Sequence, residues 1–167
     1  MGSYAIVLSP MGPLTLMEEH GALSKAMFGE ALQQYPRDEP RSTAPVVDMA
    51  QEQLAEYFNG TRQVFDLPLS PEGTEFQLAV WNNLKTIPYG LTVSYGDIAR
   101  RLGDRNASRA VGLANGRNPL AIIVPCHRVV GANGKLTGYS GGIERKIALL
   151  EFEASVLANG PRIFSLP

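Results

Sequence analysis

The chain has 167 residues, 44% of them hydrophobic, and a formal net charge of -1, so it can bury a sizeable core as one domain or as two small halves. No apolar run approaches the roughly 18 residues that cross a bilayer, and no basic segment leads into an apolar core at the N-terminus; a soluble, cytoplasmic protein is expected. One cysteine and two histidines can build neither an internal disulfide nor a structural zinc site of the usual Cys/His type, which leaves Cys126 as either a buried small hydrophobe or a reactive thiol.

Residues 3–9 and 13–18 read as two β-rich runs separated by the turn signal Pro10-Met11-Gly12-Pro13, and a third run from Leu23 to Phe28 completes a small sheet. His20, beside Gly21, falls in a turn and reads as a surface residue. Arg37 to Pro45, rich in proline and charge, reads as a loop. The spacing of Val47, Ala50, Leu54 and Tyr57 predicts a helix over 46–58, with Gly60 just past its end. Leu67 to Gly73 carries two prolines and a glycine and marks a reversal of charge. It is the expected boundary between an N-terminal unit, 1–72, and a C-terminal unit, 73–167.

The second half opens with a capping box, Thr74 and Gln77. Phe76, Val80, Trp81 and Leu84 form an apolar stripe, Trp81 reads as core, and Pro88 stops the helix. Ser94, with Asp97 three residues on, caps a short helix in which Ile98, Ala99 and Leu102 face inward and which Gly103 terminates. A second helix over 107–116 completes helix-turn-helix spacing. Ala107, Ala110, Gly112, Ala114 and Gly116 leave it little side chain beyond Arg109 and Asn115. Glycine inside a helix costs about 1 kcal/mol against alanine, so a helix this bare implies close approach to a neighbouring helix or a groove. It projects too few long polar side chains for much base-specific reading.

Asn118-Pro119 closes that helix and leads into an extended strand, Ile122-Ile123-Val124-Pro125, that delivers Cys126 with His127 and Arg128 directly after it. Gly131-Ala132-Asn133-Gly134 predicts a hairpin with a type I′ turn. Residues 137–142 form a glycine-rich loop holding Tyr139 and Ser140, able to wrap close to a ligand. A last amphipathic helix is expected over 143–154, with Ile147, Leu150 and Ala154 on one side. The tail, with Pro161 and Pro167, reads as dispensable.

Charge is unevenly spread. Residues 1–75 hold four basic and eleven acidic residues, whereas 76–167 hold eleven basic and five acidic ones. Arg100, Arg101, Arg105, Arg109, Arg117 and Arg128 fall in a 29-residue window whose only acid is Asp104. Such a window fits a surface for a polyanion, nucleic acid first, and equally an ordinary solvated face. The thiol carries the same ambiguity. A cysteine becomes nucleophilic when an imidazole or a positive charge favours the thiolate, and His127 and Arg128 offer both. Neighbours on a strand point to opposite faces, however, so direct contact needs a turn after Cys126 or a bridging water. Glu151 and Glu153 are the local carboxylates able to orient the histidine.

Pro-Cys-His-Arg-Val-Val at 125–130, with Asn118-Pro119 before it and Tyr139-Ser140-Gly141-Gly142 after it, closely resembles the active-site signature of the O6-alkylguanine-DNA alkyltransferases. Ser-Tyr-Gly-Asp-Ile-Ala at 94–99 and Arg-Ala-Val-Gly at 109–112 match the same family, and the resemblance is continuous from about Gly73 to Glu153. It implies an α/β (α+β) fold, with a small ribonuclease H-like sheet-plus-helix unit followed by a mainly helical unit that carries the helix-turn-helix and the cysteine. It also implies DNA repair by irreversible, single-turnover transfer of an alkyl group from O6-alkylguanine, and from O4-alkylthymine, to Cys126. The DNA would be double- or single-stranded.

In that reading His127 is the base, acting through a water, with Glu153 orienting it and Asn118 holding the active-site turn. Tyr95 hydrogen-bonds the extruded base and assists its departure, Ser140 contacts O6, and the backbone around Val129 reads the base. Arg109 fills the gap in the duplex, and the helix enters the minor groove. Tyr139, Ser94, Ala110, Gly112, Asn115 and Arg128 complete the expected substrate- and DNA-facing set. The resemblance implies no cofactor and no metal, since the cysteines of the vertebrate zinc site are absent. It further implies a short bacterial-type monomer without the methyl-phosphotriester domain of the adaptive-response protein, with cooperativity on DNA left open. Two alternatives make different predictions. A cysteine hydrolase using Cys126, His127 and Glu153 would turn over on an activated ester. A non-catalytic lesion sensor or regulator would bind DNA without chemistry, although the sensors of this family lack the cysteine.

Overall fold

Short apolar-rich runs in the first 28 positions build a three-stranded antiparallel sheet in the order β1 (Ser3–Ser9), β2 (Gly12–Glu19), β3 (Ala22–Phe28). The β2–β3 connection is a two-residue turn in which His20 and Gly21 both have positive φ, the geometry that matches strand twist, and His20 is exposed. Leu14 and Leu16 of the central strand are fully buried, and helix α1 (Pro45–Phe58) packs across the sheet through Val46, Val47, Ala50 and Leu54. The computed structural model describes residues 2–29 and 42–165. The loop expected over 37–45 therefore lies partly outside the described residues, and Pro45 opens α1 at a position where its missing N–H costs nothing.

The segment expected to be a boundary is docked. Leu23 N–H donates to Pro68 O at 2.9 Å and Ser70 N–H to Leu23 O at 2.7 Å, so residues 68–70 run along the outer edge of β3. Further along that edge, Ala26 N–H donates to Pro119 O at 2.8 Å and Ala121 N–H to Ala26 O at 2.9 Å. The exposed polar groups of an edge strand are thereby satisfied, and the small sheet is fastened to the chain just ahead of Cys126.

Helix α2 (Glu75–Leu84) starts at the Thr74–Gln77 capping box and buries Val80, Trp81 and Leu84. Phe76 does not join that stripe and is 38% exposed. Trp81 donates its indole N–H to Ala114 O at 2.8 Å, which ties α2 to α4. The two-residue strand β4 (Val93–Ser94) leads into α3 (Tyr95–Arg101), whose N-cap Ser94 forms a second capping box with Asp97. After a turn at Gly103, α4 (Ser108–Gly116) packs on both α2 and α3, giving the helix-turn-helix. Strand β5 (Val129–Val130) pairs parallel with β4, Val93 opposite Val129 and Ser94 opposite Val130.

Three expectations need correction here. Asn133 and Gly134 do take positive φ in a tight turn, but β5 pairs with β4, so no hairpin ladder forms around it among the described residues. Helix α5 (Ile143–Asn159) is longer than expected and buries Lys146, Leu149, Phe152, Glu153 and Val156, whereas Ile147 and Leu150 are half-buried and Ala154 is exposed. Two charges lie on the inward stripe, which is why an apolar count chose the wrong face. The tail is also engaged: Phe164 is buried against Phe58 and Phe152, and its N–H donates to Phe58 O at 2.8 Å. One continuous apolar core runs through both halves of the chain.

Candidate active site

Residues 121–128 do not form the expected strand. Ile122 has φ +69°, and Ile123 N–H donates back to Ala121 O at 2.8 Å, a γ-turn of the strained hand centred on a β-branched residue. A second tight turn follows at Pro125, where Cys126 N–H reaches Val124 O at 2.8 Å. Cys126–Arg128 then forms one turn of 3-10 helix. Left-handed backbone at isoleucine costs on the order of 1–3 kcal/mol and persists only where surroundings over-determine it. Asn118 supplies that constraint: its Nδ2 donates to Val124 O at 2.8 Å and Leu120 O at 3.3 Å, and its Oδ1 accepts from Leu120 N–H at 3.0 Å. Asn115, expected to face DNA, is buried and donates to Cys126 O at 3.3 Å, so it too holds the turn.

Cys126 is buried, and burial pushes its thiol up to about 11, with Asn118 and the Lys146 ammonium opposing the shift. The resting group at neutral pH is therefore a thiol, and a base must take its proton at the moment of reaction. His127 is fully buried, and burial holds its imidazole below the ordinary histidine value despite the neighbouring Glu153. Its Nε2 lies 2.7 Å from Glu153 Oε2. With the proton there, the basic lone pair is on Nδ1, which is buried without a hydrogen-bond partner among the described residues.

Glu153 is the centre of this network. Arg128 Nε donates to Oε1 at 2.8 Å and Nη2 to Oε2 at 3.1 Å; Gly90 N–H donates to Oε1 at 3.0 Å and the Tyr57 hydroxyl to Oε2 at 2.7 Å. Burial disfavours the carboxylate, but His127 and Arg128 outweigh it and hold Glu153 below the ordinary glutamate value. Gly90 has φ +78°, and a Cβ there would lie 2.1 Å from Leu157, so only glycine brings this amide so close. Arg128 is a correction to the DNA-facing set. Its third donor reaches Ile87 O at 2.8 Å and the residue is 6% exposed, so its charge is spent on the buried acid. Glu151, the other local carboxylate, is exposed.

Beside this network a groove of about 560 Å³ is lined by Tyr95, Ser108, Arg109, Gly112, Leu113, Gly116 and residues 137–140, which include Tyr139 and Ser140. Tyr95 shares a 2.7 Å hydrogen bond with Thr137 Oγ1. Tyr139 lines the groove and is also an electrostatic neighbour of the thiol. Arg109 and Ala110 are exposed on α4, Ser94 is occupied as the α3 cap, and Val129 is fully buried in the β4–β5 pair. The structure thus gathers Cys126, His127, Glu153, Asn118, Asn115 and Arg128 around one turn, and Tyr95, Arg109, Gly112, Tyr139 and Ser140 around the groove.

Sequence reasoning missed Lys146 and Tyr57. Lys146 is fully buried, donates to Thr137 O at 3.0 Å, stands 6.0 Å from the Tyr95 ring centroid and acts electrostatically on Cys126. Its signal was present: Lys146, Leu149, Glu153 and Val156 are spaced 3, 4 and 3 apart, which puts two charges on one helical stripe with apolar residues.

A buried thiol in an over-determined turn, followed directly by a histidine–carboxylate pair and tied through Asn115 to the second helix of a helix-turn-helix, marks a class of proteins that bring nucleic acid to a nucleophilic cysteine. The comparisons narrow the class. Residues 3–71 match the ribonuclease-like domain of 6-O-methylguanine DNA methyltransferase, and residues 75–155 match its DNA-binding domain. The chain is 52% identical to a methylated-DNA--protein-cysteine methyltransferase of Methanosarcina acetivorans, covering 91% of this chain and 98% of that one, and 51% identical to that of Mycobacterium bovis, covering 91% and 92%. Among solved structures it resembles Mycobacterium tuberculosis OGT in complex with DNA, at TM-score 0.81 and 52% identity over 92% of this chain and 93% of that one. It also resembles an O6-methylguanine DNA methyltransferase from Methanococcus jannaschii, at TM-score 0.67 and 30% identity over 90% and 93%. The chain belongs to the 6-O-methylguanine DNA methyltransferase family.

Proposed function

We propose that this protein repairs DNA by moving the alkyl group of O6-alkylguanine onto Cys126, once per molecule. The observation that carries the reading is the arrangement at residues 118–128, where a buried thiol is held in a strained turn directly before a buried histidine whose Nε2 is fixed by a buried carboxylate. His127 Nδ1 takes the thiol proton through an intervening water as Sγ attacks the alkyl carbon in line. The carbon–O6 bond breaks, its electron pair passes to the guanine, and the departing base, hydrogen-bonded by Tyr95, takes a proton from water while the imidazolium returns the thiol's proton to water. Ser140 faces O6. The product is a thioether, which water does not cleave, so the protein is consumed. O4-alkylthymine offers the same bond to the same nucleophile.

A thiol cannot reach O6 in line inside stacked duplex, so the nucleotide is turned out into the groove of about 560 Å³. Support for α4 lying in the minor groove comes from its glycines. A Cβ at Gly116 would meet nothing within 4 Å, and one at Gly112 would make only an ordinary 3.8 Å contact with Tyr95. The fold does not require these glycines, so their use is toward an external surface. Arg109, exposed at the start of the helix, fills the space left by the base. Arg100, Arg101, Arg105 and Arg117 are exposed around it and supply the phosphate-facing charge. We assign 1–72 to the supporting unit and 73–167 to the DNA-binding and acceptor unit. No helix among the described residues is long and apolar enough to cross a membrane.

Incubation with duplex DNA bearing O6-methylguanine is expected to add one methyl mass to the Cys126 peptide at unit stoichiometry, with no turnover. An unmodified Cys126 under excess lesion would overturn the assignment.

A further inference from the structure

The Glu153 carboxylate takes five hydrogen-bond contacts, and one comes from the N-terminal half of the chain. The Tyr57 hydroxyl, 96 residues earlier on α1, donates to Oε2 at 2.7 Å, the same oxygen that His127 Nε2 meets at 2.7 Å. Tyr57 is fully buried and caged by Phe58, Phe65, Tyr89 and Phe152, with ring centroids 5.2 to 6.1 Å away. A ring held this way cannot swing its hydroxyl elsewhere. A tyrosine serving only as core would gain nothing from its oxygen at this depth.

We propose that Tyr57 is a positioning residue for the cysteine reaction, through which the N-terminal half sets the geometry and basicity of the His127–Glu153 pair. The proposal rests on the alkyl-transfer reading for its consequence, but the coupling can be measured without it. Donors sharing one carboxylate oxygen compete for its charge, and Oε2 carries three, from Tyr57, His127 and Arg128 Nη2. Removing the phenol O–H leaves Oε2 richer in charge toward His127, which stabilises the imidazolium and raises the histidine's titration midpoint. It also frees one side of the carboxylate to move. The groups acting on this pair are Tyr57 from α1, Arg128 beside His127, Lys146 from α5, and Tyr89, whose buried hydroxyl has no hydrogen-bond partner among the described residues and is pushed up to about 12 by burial and by Glu153. Of these, Tyr57 and Arg128 donate directly to the carboxylate.

Tyr57→Phe keeps the ring cage and removes one oxygen. The chain has two histidines, and His20 is exposed, so an NMR titration of the full-length protein resolves His127 directly. The expected result is an upward shift of the His127 midpoint in Tyr57→Phe, on the order of one pH unit as for loss of one charge-assisted hydrogen bond. Phe58→Leu, which loosens the same aromatic cluster without touching the carboxylate, should lower thermal stability and leave that midpoint in place. In parallel, transfer from free O6-benzylguanine should slow on the order of tenfold in Tyr57→Phe. An unmoved His127 midpoint in Tyr57→Phe overturns the proposal, whatever happens to its stability. A shifted midpoint in Tyr57→Phe, together with a wild-type protein that accepts no alkyl group, would uphold the coupling and overturn the function.

Discussion

At the scale of single residues, the site is a problem in buried charge. Glu153, His127 and Arg128 are withdrawn from water together, which is tolerable only because each answers another. Glu153→Ala leaves the Arg128 guanidinium buried and unpaired, so the fold should lose about 3–5 kcal/mol. Glu151→Ala, two residues away on the exposed face, should stay within about 0.5 kcal/mol; denaturant unfolding of the two variants checks the contrast. Lys146 acts on the thiol. It lowers a pKa that burial has raised to about 11, so Lys146→Met should carry it higher still. Iodoacetamide labelling of Cys126 across pH should then show its half-maximal rate moved toward alkaline pH. An unchanged profile would remove Lys146 from the account. Cys126, His127 and Asn118 were legible because a sequence motif carries them, whereas Glu153 was separated from Glu151 only by the family resemblance. Arg128 was legible as a residue but not as a role, since an arginine beside a cysteine looks the same on paper whether it points to DNA or to a buried acid.

At the scale of elements, the helices were the readable part. Capping boxes at Thr74 and Ser94 are local hydrogen bonds between residues three apart, and both form as expected. The turn before Cys126 was unreadable for the opposite reason. Ile122-Ile123-Val124 has strong strand propensity, yet contacts from Asn118 and from the β3 edge bend it into a γ-turn that no local rule favours. Helix α4 keeps glycines that its own fold does not use. Gly112→Ala should therefore stabilise the protein by roughly 0.5–1 kcal/mol through helix propensity. It should also weaken binding to duplex DNA, while reaction with free O6-benzylguanine is nearly unchanged. Thermal melts paired with DNA titrations test this, and a variant that gains both stability and affinity would contradict the groove-facing role.

At the scale of the whole molecule, the two halves share one apolar core. Folding keeps His127 neutral below its ordinary value of 6.5 and Glu153 ionised below its ordinary value of 4.5. In each window the unfolded chain binds more protons than the folded one, so stability is fully present above about pH 6.5, begins to fall there, and falls further below about pH 4.5. Urea midpoints measured from pH 8 to pH 4 should show both steps, and His127→Gln should flatten the upper one. A midpoint unchanged between pH 7 and pH 5 would contradict a buried neutral imidazole.

The sequence by itself determined the elements whose causes are local: the turn at His20-Gly21, the caps, the bare helix, the arginine-rich window and the motif around Cys126. Only the tertiary structure decided what depends on residues far apart meeting out of water. It bent the Cys126 segment, turned Arg128 and Asn115 inward, put Lys146 beside the thiol, and brought Tyr57 across 96 residues to Glu153. The physical reason is that propensity and capping act through neighbours in the chain, whereas burial, charge pairing and strain are properties of the packed whole.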